Sequence, residues 1–195
     1  VKMNLEASMT VETAPLYRWE TERLILRPFE ERDLVIFSTY RSDPLVARYQ
    51  SWEAPFDISR ACAFYTWLQS VKPGTPGEWY QYAVELKATG LLIGDFVLGA
   101  AKEGSQAEFG VTFSRPAQNQ GYATEGARCL FTHAFEEMKL HRIFARLDAR
   151  NMPSARLMER LGMRREAWMV KSEWHKGEWT DVLWYAVLRE EWNSR

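Results

Sequence analysis

The chain is poor in cysteine and in unbalanced charge, and these shortages exclude several classes of function. Cys62 and Cys129 are its only two cysteines in 195 residues, too few and too far apart for a disulfide framework or a zinc pattern. No metal site is therefore expected, and the cytoplasm is the expected compartment. Lysine and arginine number 25 against 26 acidic residues, so charge gives no reason to expect a nucleic-acid partner, whose binding would be salt-sensitive. No apolar run approaches the roughly 18 residues of a membrane span. Lys2, Glu6, Glu12 and Glu20 also interrupt any secretory hydrophobic stretch near the start. Neither G-x-x-x-x-G-K-[ST] nor G-x-G-x-x-G occurs, which removes the nucleoside-triphosphate loop and the dinucleotide fingerprint.

What remains reads as one α/β domain over 20–195, preceded by residues 1–19, which lack a clear period and are expected to form a mobile arm. The Pro/Gly-rich Lys72 to Gly77 is short enough for a surface loop. Strands are expected at Leu24 to Arg27, Trp79 to Leu86, Leu91 to Leu98, Gln106 to Phe113, Arg142 to Asp148, Arg164 to Lys171 and Thr180 to Leu188. Helices are expected at Glu31 to Arg41, Asp57 to Ser70, 121 to 139 and Met152 to Leu161. This order of hairpins and β-α-β units implies a mixed sheet with helices on its faces.

The most informative segment is Gln118-Asn119-Gln120-Gly121-Tyr122-Ala123-Thr124-Glu125. Before it, Phe109, Val111 and Phe113 alternate with polar or small residues, as in a strand with two different faces. After it, Ala123, Ala127, Leu130, Phe131, Ala134, Phe135 and Met138 form a helical stripe. A helix entered in this way points unpaired N–H groups and the positive end of its dipole at whatever lies ahead, and an anion such as phosphate suits that position. Gly121 would let the anion approach the main chain. The same glycine would equally serve an ordinary turn.

Gln118-x-x-Gly121-x-Ala123 resembles the acyl-coenzyme A pyrophosphate motif of the GNAT N-acetyltransferases. GYATEG is similar to its form in the branch of ribosomal-protein N-terminal-amine (RimJ/RimL-like) acetyltransferases. Three further stretches resemble that branch in the same order: Thr21 to Leu34, Asn151-Met152-Pro153-Ser154 with Arg156 to Met163, and Lys171 to Asp181 as a penultimate loop. The chain departs from the branch at Ala117-Gln118-Asn119, where a bulky aromatic and a basic residue are common. The resemblance implies a GNAT-like, mostly antiparallel mixed sheet with helices on both faces and a splayed central strand pair.

The resemblance also implies acetyl-CoA as acyl donor, with no metal. Its diphosphate would lie on Gln118, Asn119, Gln120, Gly121, Tyr122, Ala123 and Thr124. Its pantetheine arm would bond to the main chain of Val111, Thr112 and Phe113 as an added strand does. Asn151 would hold that arm and Ser154 would protonate the leaving thiolate, although both residues also suit a plain helix start. Glu173 is the expected base and Glu108 the second choice; a solvated loop charge is the other reading of Glu173. Tyr49, Trp52, Trp168 and Trp174 are placed near the acceptor, although such aromatics serve as core or as a homodimer interface at least as often. His133, His141 and His175 suit ordinary hydrogen-bonded roles, and Cys129, opposite the apolar stripe of its helix, lacks a paired base. The expected activity is direct acyl transfer to a primary amine, favouring a protein N-terminal α-amine. A small-molecule amine such as a polyamine or antibiotic, or a non-catalytic coenzyme A sensor, are the alternatives.

Overall fold

Strand residues that alternate around apolar positions build one eight-stranded sheet in a computed structural model that describes residues 17–194. The strands are β1 (Trp19–Glu20), β2 (Leu24–Arg27), β3 (Trp79–Leu86), β4 (Leu91–Ala100), β5 (Gln106–Phe113), β6 (Arg142–Asp148), β7 (Arg164–His175) and β8 (Glu178–Leu188). They run in the order β1-β2-β3-β4-β5-β6-β8-β7, and every neighbouring pair is antiparallel except β5 with β6. That parallel pair holds register only at Gln106↔Arg142, Ala107↔Ile143 and Glu108↔Phe144, after which the strands part. The mixed sheet with a splayed central pair thus has the expected form.

The helices are α1 (Leu34–Arg41), α2 (Pro44–Ala47), α3 (Ile58–Leu68), α4 (Tyr122–Glu136), α5 (Met152–Arg160) and α6 (Arg189–Asn193), with 3-10 turns at Glu31–Asp33 and Arg115–Ala117. Successive residues of a strand point to opposite faces, so β4 shows which helices lie where. Asp95 meets Tyr40 of α1, while a Cβ placed on Gly126 of α4 would stand 2.7 Å from the Phe96 ring. The two helices therefore cover opposite faces, and α4 lies close because Gly126 has no side chain. Its stripe of Ala127, Leu130, Phe131, Ala134 and Phe135 is buried, as the periodicity requires.

A buried arginine fastens β2 to β3 and to the turn before α1. Arg27 of β2 donates to Asp33 through Nη1 at 2.6 Å and Nη2 at 2.8 Å, and to Glu85 of β3 through Nε at 2.8 Å. Ion pairing on this scale makes burial of the charge tolerable.

Two expectations need correction. Lys171 to Asp181 is not an open loop: β7 and β8 continue through it as a hairpin closed at Lys176 and Gly177, both with positive φ (48° and 90°). The interruption is a wide bulge between Met169 and Glu173. There Lys171 takes φ 46°, its N–H donates to Asp181 Oδ1 at 2.8 Å, and Trp168 Nε1 donates to Asp181 Oδ2 at 2.8 Å. The other correction is α2, not read from the sequence, which starts at Asp43 as N-cap with Pro44 in its first turn. Of the expected arm, residues 1–16 lie outside the described residues, and Trp19 is buried in β1, stacked on His133 at 4.6 Å.

Candidate active site

Where β5 and β6 part, a cleft of about 360 Å³ opens between α2, the end of β5, the loop into α4 and the start of α5. It brings together most of the expected donor-side residues: Val111, Thr112, Phe113, Gln118, Asn119, Gly121, Tyr122, Ala123, Thr124, Asn151 and Ser154, with Tyr49 beside them. Gln120 is in the same loop, where its carbonyl accepts from Arg23 Nη1 at 3.0 Å. A broader depression of about 770 Å³ on the outer side of α4 meets the cleft at Gly121, Thr124 and Arg160. It is an open face, and the residues that carry chemistry lie in the narrower cleft.

The loop into α4 has the backbone needed for close approach. Asn119 takes φ 60° and Gly121 φ 82°, in the left-handed region that glycine and asparagine tolerate best. Gly121 is the N-cap of α4 and has no side chain to cap it, so the first N–H groups of the helix are left without a side-chain partner there. Arg156 and Arg160, one turn apart on α5, line the same cleft. Their spacing of four in an amphipathic helix is a signal the sequence carried. Leu45, Val46 and Gln50, on the α2 wall, were harder to anticipate because the helix there is a single turn.

On β5, the Val111 and Phe113 carbonyls accept from side chains, Gln50 Nε2 at 3.2 Å and Gln118 Nε2 at 3.0 Å. These carbonyls therefore lie on the open side of the strand, where an amide-bearing ligand could exchange for the glutamines. Gln118 accordingly braces the loop with its side chain. Asn151 caps α5, its Oδ1 accepting from Ser154 N at 3.3 Å, and both residues line the cleft. The capping and ligand-facing readings of Asn151 thus coexist in the geometry.

The expected bases, Glu108 and Glu173, are not among the residues that line the cleft; Glu108 stands at the last register pair of β5 with β6, where the splay begins. Glu108 of β5 and Glu173 of β7 are brought together by Arg146 of β6, which donates to Glu108 Oε1 through Nε at 3.0 Å and to Glu173 Oε1 through Nη1 at 2.9 Å. Arg146 also lies over the Trp184 ring at 5.6 Å. The sequence reading missed Arg146, because an arginine alternating along a strand reads as a solvated face. Nearby, Arg150 binds Asp148 at 2.7 Å and Glu178 at 2.7 Å and lies 5.9 Å from the Tyr49 ring.

The hairpin tip closes over this corner. Lys176 Nζ donates to the Ala47 and Trp52 carbonyls, each at 2.7 Å, and His175 Nε2 contacts Arg48 O at 3.3 Å. Of the expected acceptor aromatics, only Tyr49 lines the cleft. Trp52 packs against the Arg41 guanidinium at 3.8 Å and donates its Nε1 to Arg41 O. Trp168 and Trp174 stand 56% and 62% exposed on the edge strand. Cys129 is half-buried, and burial pushes its thiol up to about 11.

The profile of the acetyltransferase (GNAT) domain matches residues 23–164, most of the described fold. The chain belongs to the GNAT acetyltransferase family. Its similarity to the uncharacterised N-acetyltransferase YnaD of Bacillus subtilis is 37% identity over 173 residues, covering 89% of this chain and 98% of that protein. A GNAT-family acetyltransferase from Bacillus anthracis superposes with a TM-score of 0.81 at 34% identity, over 89% of this chain and 99% of that one. Two more distant neighbours share the fold. A spermidine N-acetyltransferase from Vibrio cholerae in complex with CoA and spermine has a TM-score of 0.76 at 20% identity, covering 89% of this chain and 99% of that one. A RimL ribosomal L7/L12 α-N-protein acetyltransferase in complex with coenzyme A has a TM-score of 0.75 at 17% identity, covering 86% and 95%. As a GNAT-type N-acetyltransferase, the chain carries its family's chemistry on a sheet parted at β5 and β6.

Proposed function

We propose that the chain transfers an acetyl group from acetyl-CoA directly to a primary amine, with a protein N-terminal α-amine as the favoured acceptor. The observation that carries this reading is the pair of carboxylates, Glu108 and Glu173, gathered on Arg146, in the same parted sheet as a cleft that suits the donor. The cleft fits the donor's parts: open carbonyls on β5 for pantetheine amides, the uncapped α4 start with Arg156 and Arg160 for the diphosphate.

Attack on a thioester requires a neutral amine. At pH 7, deprotonation costs about 1.4 kcal/mol for an α-amine of pKa ~8 and about 4.6 kcal/mol for a lysine-like amine of pKa ~10.4. A single carboxylate meets the first demand more readily than the second. Glu173 takes the proton, directly or through water, as the amine nitrogen bonds to the thioester carbon. Arg146 is retained by Glu108 when Glu173 turns to the amine. Collapse of the tetrahedral adduct breaks the carbon–sulfur bond, and Ser154 donates a proton to the thiolate.

A polyamine acceptor would need unpaired carboxylates along its length. Here Arg146 occupies Glu108 and Glu173, and Arg150 occupies Asp148 and Glu178. This pairing favours a singly charged α-amine. The test is free-thiol release from acetyl-CoA with separate pools of α-amine peptides and polyamines. Glu173→Gln should lower kcat by roughly 10²–10⁴-fold with coenzyme A affinity unchanged. Turnover confined to polyamines would replace the acceptor assignment. Donor binding without release from any pool would favour a sensor.

A further inference from the structure

Glu125 is an acidic residue in the first turn of α4, four residues after the N-cap Gly121, where its charge would oppose an anion bound at the helix start. The structure deals with this charge in a specific way. The Glu125 carboxylate is drawn to the turn between β1 and β2, where Oε1 accepts from Thr21 Oγ1 at 2.5 Å and from the Arg23 N–H at 2.8 Å, and Oε2 from Arg23 Nε at 2.6 Å. The rest of the same guanidinium lies on the loop. Arg23 Nη1 donates to Gln120 O at 3.0 Å, its Cζ stands 4.5 Å from the centre of the Tyr122 ring, and Nη2 would come within 3.3 Å of a Cβ on Gly121.

We propose that Arg23 is a positioning residue of the donor site that acts through charge: it cancels Glu125 and lends the loop a positive rim for the donor's diphosphate. The inference rests on the assignment of acetyl-CoA to the cleft. It accounts for how a carboxylate can sit in the first turn of an anion-receiving helix. With Arg23 in place, the net charge of the pair is zero and the open N–H groups of α4 keep their attraction for an anion. Without the Arg23 guanidinium, a carboxylate held by Thr21 and the backbone N–H of residue 23 would keep an uncancelled charge in the first turn.

The experiment is calorimetric titration of the full chain with coenzyme A at low and at high salt, for the wild type, R23M, R23K, E125Q and R23M/E125Q. Tryptophan fluorescence and thermal unfolding check that each variant is folded. R23M should weaken binding about tenfold at low salt, and less at high salt because screening reduces the repulsion. E125Q added to R23M should restore most of the affinity. R23K keeps the charge and should stay within about threefold of the wild type, so it tests the idea even if R23M folds poorly. An unchanged R23M, or a loss that E125Q does not relieve, would overturn the charge role and leave Arg23 as a brace only. Failure of the wild type to bind coenzyme A would overturn the donor-site assignment itself, a result separable from either of these.

Discussion

Single residues in this chain are set by what surrounds them more than by their type. Cys62 is exposed, whereas burial, with smaller contributions from Glu125 and Glu137, raises the Cys129 thiol to about 11. A thiol reagent at pH 8 should therefore modify one cysteine quickly in the native protein and the second only slowly, with both reacting at once in denaturant; equal native rates would show that the α4 face is open. Gly121 could be read from sequence because few residue types suit such a turn, and Asn151 and Ser154 could be read because helix starts have a short list too. Arg146 and Arg23 could not. An arginine's partners lie on distant strands, and nothing local distinguishes one that gathers two carboxylates from one that trails in solvent.

Among the elements, those with a long, clean period were legible almost to the residue. β5 and β6 run over the expected stretches, β2 and β3 do so although nearly all their residues are buried, and α4 buries the stripe its spacing predicts. α2 has no period because it has one turn, and the far half of β7 loses its alternation at the bulge. That bulge has mechanical importance. Three residues, Val170 to Ser172, oppose the single residue Asp181, whose two oxygens hold Lys171 N–H and Trp168 Nε1. Bulges re-aim side chains near active sites, and Glu173 is the first residue to resume pairing. Asp181→Ala should therefore speed amide exchange over residues 169–175 and lower acetyl transfer by about tenfold, while coenzyme A affinity holds. A variant with loosened exchange and full activity would detach the bulge from catalysis.

At the scale of the whole molecule, the balance of charges sets how the fold responds to acid. Glu166 and Asp181 are held below the ordinary carboxylate range, chiefly by hydrogen bonds from Arg142 and from the Lys171 N–H respectively. For Glu125 and Asp148, burial is the largest single effect and works upward, but hydrogen bonds from Thr21 and Arg23, and from Arg150, together overcome it. A carboxyl that is more acidic folded than unfolded stabilises the protein above the unfolded value near ~4, and that stability is lost as pH falls through the folded value. Asp95, pushed up by burial between Tyr40, Gln81 and Arg41, has the opposite sign. Glu20 is lowered as well, chiefly by a hydrogen bond from Lys87, so with five groups against one the urea midpoint should stay flat from about pH 7 to about 5 and fall below about 4. A midpoint that rose in acid would place Asp95 in control.

The parting of β5 from β6 also makes the sheet two unequal panels, one of five strands and one of three, joined along a seam of three residue pairs. Under load, that seam is the line along which the molecule should tear first. If acetyl-CoA sits across it as proposed, bonded to β5 on one side and to the start of α5 on the other, it would work as a staple. Linkage then makes its affinity and the panels' resistance to separation a single quantity measured in two ways.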